Sequence, residues 1–438
     1  MPKISGISVV GLGKLGLCAA SCFAVKGFEV IGIDIDTERI DKINKGISPI
    51  EETGLARLLK QAKPNLTATT DYQTAVLNSG VTFVVVATPS LADGSFSNEY
   101  LEKTLHKIAE VLRKKRGYHL VVVVSTVMPQ TIEVVAKFIL EKVSGKACGR
   151  DFGLVYNPEF IALGSVIHDF LNPDMILIGE MHKKDGDILE EIYKRACENK
   201  PRFARMSPLN AEIAKIALNC YITTKITFAN SLASICEKLK GADAYIISQA
   251  LGLDSRIGSK YIKPGLGYGG PCFPRDNVAF AAFARRLEIK AKLAEMIDEV
   301  NRDQVLRIIK RINDILGSKD KSKMKIGVLG LSYKPDTPII DDSQALNIAQ
   351  ILVAEGYQVT VYDPQAQERA KGVLGEAVRY AKGPTECLVG ASLGIIAVGW
   401  TEFKKINFKR LKKDIIILDC WRILERKKGR AIRYSGVA

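Results

Sequence analysis

The sequence predicts an α/β protein: two doubly wound parallel-sheet domains joined by a helical middle that carries one long helix. Three observations predict it. Up to about residue 200, short apolar runs rich in valine and isoleucine alternate with helical patterns. After Pro208, a stretch of helical periodicity continues to 240 with no glycine and no further proline. Beyond a polar, basic linker at 317–324, the opening pattern of strand, glycine turn, helix and aspartate-ended strand returns.

The first segment, "ISVVGLGKLGLCAASCFAVKGFEVIGIDID", reads strand, turn, helix, strand. The runs at 81–89, 118–127 and 152–160 are further strands, with helical patterns at 98–113 and 131–143 between them. Their unbroken apolar character fits strands buried on both faces. From Ser207 the pattern becomes one long helix, capped by Ser207 or Asn210, followed by shorter helices to about Leu316. "MKIGVLGLSYKPDT", a helix from about Ser343 to Glu355 and "YQVTVYDP" then repeat the first motif. The expected domains are 1–200, 201–316 and 317–438.

The chain has 438 residues, enough for two or three domains, and its 47% hydrophobic and 25% charged content is that of a soluble globular protein. Met1–Val10 lacks the apolar core of a signal peptide. The run "LVVVV" (120–124) falls far short of the roughly 20 residues a membrane helix needs. The expectation is a cytoplasmic protein without a membrane partner. Nine cysteines, an odd number without paired spacing, argue against a disulfide framework. Cys18 and Cys22 read as small core residues on a helix rather than metal ligands, and no metal is expected. The net charge is +15, and from Thr401 onward twelve Lys/Arg face four Asp/Glu. That charge suits nucleic acid, an anionic small ligand or a solvated face; no nucleic-acid motif accompanies it, so no nucleic-acid partner is expected.

Gly11, Gly13 and Gly16 form G-x-G-x-x-G after a strand and at a helix start, with Leu12, Lys14 and Leu15 between them. The glycines allow a tight turn and close approach to a pyrophosphate, which the helix N-terminus then faces. Asp34 ends the second strand, where a carboxylate accepts from ribose hydroxyls and repels a 2′-phosphate, pointing to NAD rather than NADP. Arg39 either contacts the adenosine end or is a surface helix residue. The second turn, Gly327, Gly330 and Ser332, lacks the third glycine and suits a nucleotide of another kind, held through backbone and "YKPD".

The stretch "GLGYGGPCFPRD" (265–276) sets four glycines and two prolines around Cys272. A catalytic thiol needs exposure, activation and a fixed position. Glycines let ligands approach the backbone, prolines stiffen it, and Arg275 and Asp276 supply charge nearby. The other reading is a structured turn with a buried cysteine. Lys215 and Asn219 share one face of the long helix, either stabilising an oxyanion or forming a surface polar pair. Glu159 in "YNPEF" and Thr126 in "STVMP" follow strands, where open α/β sheets build sites, or are simple turn residues.

In order and spacing, "GLGKLG", "ATPS", "STVMP", "YNPEF", "EIAKIALN", "DSRIGSKYIKPGLGYGGPCFPRD", "GLSYKPDT" and "DCWRIL" cover nearly the whole chain. In them the sequence resembles the nucleotide-sugar 6-dehydrogenases of the UDP-glucose/GDP-mannose dehydrogenase family. The resemblance implies oxidation of a sugar C6 alcohol to a carboxylate with two NAD⁺ and one water. Cys272 would form a thiohemiacetal and then a thioester. Glu159 would be acid/base in its hydrolysis, Lys215 and Asn219 oxyanion stabilisers, and Asp276 and Thr126 holders of the water. It further implies that Gly11, Leu12, Gly13, Lys14, Leu15, Gly16, Asp34, Arg39, Thr88, Pro89, Thr126 and Arg275 bind the cofactor. Glu159, Phe160, Lys215, Asn219, Arg256, Tyr261, Lys263, Gly267, Gly269, Tyr333, Lys334 and Arg422 would bind a UDP-sugar. Arg256 would reach a neighbouring subunit of a homodimer, or dimer-based oligomer, built through the long helix.

Three positions depart from the family pattern. Leu163 stands where many members carry glutamate, Asp341 where arginine is frequent near the cofactor, and Pro271 where serine precedes the cysteine. The cysteine loop looks like that of UDP-glucose-oxidising members, with GDP-mannose or a UDP-N-acetylhexosamine as the alternative substrate. A protein that kept the fold and lost the chemistry would lack Cys272 or Lys215, and both are present.

Overall fold

The computed structural model describes residues 6–318, 320–425 and 431–434. They fall into two compact units, 1–217 and 218–438. In the first, eight strands run β1 (Gly6–Val10), β2 (Glu29–Ile33), β3 (Leu66–Thr69), β4 (Val81–Val84), β5 (His119–Val123), β6 (Phe152–Tyr156), β7 (Met175–Glu180) and β8 (Arg202–Met206). Their order in the sheet is β3-β2-β1-β4-β5-β6-β7-β8. Adjacent strands are parallel except β6 and β7. Leu120 and Val122 of β5 enter one hydrophobic core while Val121 and Val123 enter another, because successive strand side chains point to opposite faces. Both faces are covered, which is why these strands read as continuous apolar runs. Cys18 and Cys22 are fully buried in the first of these cores.

Two expectations need adjustment here. β8 joins the first sheet, so that sheet ends at Met206 rather than at 200. The helix expected at 131–143 opens as a π-helical turn, Thr131–Ala136, before continuing as Lys137–Ser144. The long helix runs Pro208–Cys236, 29 residues, and Ser207 provides its cap by accepting from the Asn210 N–H at 3.4 Å.

The second unit holds an all-parallel sheet of β9 (Lys325–Leu329), β10 (Gln358–Tyr362), β11 (Arg379–Tyr380), β12 (Leu393–Ile396), β13 (Ile416–Asp419) and β14 (Ala431–Tyr434). The order is β11-β10-β9-β12-β13-β14. Helices Ala244–Leu253, Phe273–Arg286 and Lys292–Leu316 precede it.

The second glycine turn differs from its expected reading. Gly11 (φ +91) donates its N–H to Ile33 O at 2.8 Å, and Gly330 (φ +101) donates to Tyr362 O at 2.8 Å. Gly330 is therefore the counterpart of Gly11, while Gly327 lies inside β9, where a Cβ would stand 2.7 Å from Cys387 O. A helix begins at Lys14 straight after the first turn; after Gly330 the next begins only at Gln344. Asp363, the counterpart of Asp34, accepts six hydrogen bonds from Leu331, Ser332 (N–H and Oγ), Gln365, Ala366 and Trp400.

Candidate active site

In the first unit, the glycines of the opening turn have separate reasons. A Cβ at Gly11 would meet Val85 O at 2.2 Å, and one at Gly16 would meet Gly11 O at 1.9 Å. At Gly13 nothing lies within 4 Å, so the outer side of the turn is open. No side chain caps the helix Lys14–Val25 that starts there. Open space beside uncapped helix N–H groups fits the pyrophosphate of a dinucleotide. Asp34 accepts from Leu12 N–H (2.8 Å), Asp36 N–H (3.0 Å) and Arg39 Nη1 (2.9 Å). Burial pushes its carboxyl up, but these hydrogen bonds and the guanidinium outweigh burial and hold it below the usual range. Arg39 is thus the ion-pair partner of the Asp34 carboxylate.

Lys14 lies 3.8 Å from Glu52, whose carboxylate accepts from the Gly164 and Val166 N–H groups at 3.2 Å each. Leu163, beside them, packs against the core. Thr88 Oγ1 donates to Thr126 O at 2.7 Å, and Ser125 Oγ bonds both backbone groups of Val86. These bonds tie together the C-terminal ends of β4 and β5. Pro89 accepts from Ser97 N–H at 2.8 Å.

Glu159 and Lys215 also converge. Lys215 Nζ donates to Glu159 O at 2.6 Å and sits 4.6 Å above the Phe160 ring. Tyr193 Oη lies 3.0 Å from Glu159 Oε1 and 2.6 Å from Asn157 Oδ1. Burial pushes the Glu159 carboxyl up to about 7, against the opposing pull of Tyr193 and Lys215. That value suits a proton acceptor and donor near neutrality. Glu212, one helical turn before Lys215, is fully buried and accepts from Gln130 N–H (2.7 Å) and Ile132 N–H (2.8 Å). It fixes the start of the π-helical turn just beyond "STVMP".

In the second unit, Cys272 is exposed at the N-cap of the helix Phe273–Arg286, so it is not the buried cysteine of the alternative reading. Helix N-termini favour negative charge. One turn on, buried Asp276 accepts from Asn219 Nδ2 at 2.6 Å and pairs with Arg275 at 3.4 Å. Asn219 is therefore bound to a carboxylate rather than standing as a surface polar residue.

The glycine loop before the cysteine is tightly enclosed. A Cβ at Gly269 would come within 2.3 Å of Asp342 O, and one at Gly270 within 2.5 Å of the Tyr333 ring. Asp341 contributes its carbonyl, which accepts from Gly270 N–H at 2.9 Å. Tyr261, at φ +63, packs edge-on to Phe273 with ring centroids 6.3 Å apart. Lys334 Nζ lies 6.0 Å from the Tyr333 ring. Arg422 pairs with Asp243 and sits 5.0 Å from the Tyr245 ring, which Lys263 Nζ approaches at 5.6 Å. Arg256 is exposed and pairs with Asp254 at 2.7 Å. Sequence reasoning missed Tyr193, Glu212, Asp243 and Tyr245. Glu212 heads "EIAKIALN" without having been singled out there, the other three lie outside the quoted motifs, and each acts through a partner distant in sequence.

Models of the UDP-glucose/GDP-mannose dehydrogenase family match its NAD binding domain at 5–197, its central domain at 209–303 and its UDP binding domain at 327–426. The chain is 36% identical over 429 residues to a UDP-glucose 6-dehydrogenase of Haloferax volcanii, covering 97% of this chain and 98% of that one. It is 37% identical over 361 residues to a GDP-mannose 6-dehydrogenase of Pseudomonas aeruginosa, covering 82% and 80%. Among solved structures, a UDP-glucose dehydrogenase from Pyrobaculum islandicum superposes with a TM-score of 0.88 at 31% identity, covering 100% of both chains.

Proposed function

The chain belongs to the UDP-glucose/GDP-mannose dehydrogenase family of NAD-dependent nucleotide-sugar dehydrogenases, and from that premise we propose that it oxidises UDP-glucose at C6 to UDP-glucuronate. The observation that carries the chemistry is Cys272, an exposed thiol at a helix start, with Asp276 one turn beyond it and bonded to Asn219.

NAD⁺, when bound, accepts the hydride in each of two oxidations. Lys215 takes up the alcohol proton in the first, which leaves an aldehyde at C6. The Cys272 thiolate then adds to the aldehyde carbon; a C–S bond forms, and the oxyanion receives a proton to give a thiohemiacetal. Lys215 and Asn219 donate to that oxygen while it is charged. The second oxidation leaves a thioester. Glu159, near pKa 7, removes a proton from water as the water attacks. The C–S bond breaks, the carboxylate leaves, and the thiol is restored. Covalent capture keeps the aldehyde from escaping between the oxidations. Arg422, Lys263, Tyr261, Tyr333 and Lys334 bind the nucleotide sugar in this reading. The reaction takes place in the cytoplasm.

Similarity to the Pseudomonas enzyme favours GDP-mannose as the second reading. A substrate panel separates the two. UDP-glucose is expected to give two NADH per sugar, while turnover confined to GDP-mannose overturns the substrate and keeps the chemistry. In Cys272→Ser, overall turnover is expected to drop roughly 10³-fold with NAD affinity unchanged. Wild-type steady-state rates in that variant would remove Cys272 from the mechanism.

A further inference from the structure

The backbone just before Cys272 is gripped by side-chain amides. Gly265 donates its N–H to Asn230 Oδ1 at 2.8 Å, and its carbonyl accepts from Gln304 Nε2 at 2.9 Å. Asn301 meets both backbone groups of Tyr268: Oδ1 accepts from the N–H and Nδ2 donates to the carbonyl, each at 2.9 Å. Gln344 Nε2 adds a second donor to the Tyr268 carbonyl at 3.2 Å. Asn230, Asn301 and Gln304 are at most 5% exposed, so these bonds are shielded from competing water. Arg307 donates to Gln304 Oε1 at 3.0 Å and so orients that amide.

Gly267 belongs to the same arrangement. It sits at φ +114, and a Cβ there would stand 2.4 Å from Asn301 Oδ1. The glycine makes room for the amide.

We propose that Asn301, with Asn230 and Gln304, is a positioning residue for the proposed reaction: an amide clamp that fixes the 265–270 loop and thereby the place of the Cys272 thiol. The inference rests on the reading of Cys272 as nucleophile. The clamp consists of neutral amides, so it holds through the whole pH range in which the acid/base groups titrate. Both Asn301 and Gln304 come from the helix Lys292–Leu316, which makes that helix the anvil of the loop.

The test is Asn301→Ala in the full-length enzyme, with UDP-glucose and NAD⁺. Four quantities are read: kcat, KM, NAD affinity, and the rate of Cys272 alkylation by iodoacetamide, followed by peptide mass spectrometry well below the melting temperature. The expected result is a kcat about tenfold or more lower, as for loss of a buried hydrogen-bond pair. NAD affinity should stay within about twofold, and alkylation should rise several-fold and lose its protection by UDP-glucose. Gln304→Glu, which keeps the size and removes the donor, should give a weaker form of the same pattern and serves if Asn301→Ala does not fold. Gly267→Ala should match Asn301→Ala, and the double variant should be no worse than either, because both break one contact. Unchanged kcat and alkylation in Asn301→Ala and Gln304→Glu would overturn the clamp. Full two-step turnover in Cys272→Ala would instead overturn the nucleophile, while the alkylation rate in Cys272-containing variants still reports on the clamp.

Discussion

Glu159 shows how surroundings set the chemistry of a single side chain. Folding raises its pKa from 4.5 to about 7, so the folded protein binds this proton more tightly than the unfolded chain. Stability linked to that proton is present at low pH and is lost as pH rises from 4.5 through about 7. Glu212 is raised to about 7, chiefly by burial, and acts in the same window. Denaturant melts of Glu159→Gln across this range should therefore fall less steeply with pH than those of the wild type, yet not become flat, because Glu212 remains. The same variant should accumulate the Cys272 thioester, detectable as a mass increase on the intact protein. A wild-type slope together with no trapped species would remove Glu159 from the hydrolysis.

Among elements, the opening turn makes the sharpest demand on sequence. Gly16→Ala would place a methyl group 1.9 Å from a backbone oxygen. The helix must move away from the turn, at a cost of about 1–3 kcal/mol. A lower Tm and weaker NAD binding are expected together, measured by calorimetry. Gly13→Ala meets no such clash and should lose NAD affinity while keeping the wild-type Tm. This turn was legible because its constraint is local: strand, glycines and helix lie within a few residues. In the second turn only the placing of Gly327 was misread, because G-x-x-G spacing does not reveal which glycine takes positive φ; that depends on the pairing of Gly330 with Tyr362. β8 was missed for a similar reason, since "RFARM" alternates weakly and is a strand only because it pairs with β7. Among the candidate residues, Cys272, Glu159, Lys215, Asn219 and Asp276 stood out as chemistry-bearing letters inside motifs. Glu212, although it heads "EIAKIALN", and Asn301 did not, because each acts on backbone groups tens of residues away and leaves no periodic trace.

On the scale of the whole molecule, charge and apolar surface bear on association. Net charge is +15, and part of the basic C-terminal excess, at 426–430, lies outside the described residues. Among the described residues no helix is long and apolar enough to cross a membrane. On the long helix, Tyr221, Phe228 and Ile235 are 65%, 55% and 60% exposed at spacings of seven, which puts them along one stripe of that helix. We propose that this stripe meets a second copy of the chain in a homodimer. Phe228→Glu should shift the protein to monomer in light scattering, and an unchanged mass would count against this face.

Asp363 gives the two-domain plan a further meaning. A carboxylate has about four lone-pair directions, and this one is already fully subscribed by its own chain. Asp363 thus has no lone pair left for the ribose of a dinucleotide, which sets the duplicated turn apart from the first. Under the proposed reaction the two cofactors must use the first turn in succession, one leaving before the next arrives. The half-oxidised sugar has to wait through that exchange, and the bond to Cys272 is what keeps its place in the queue.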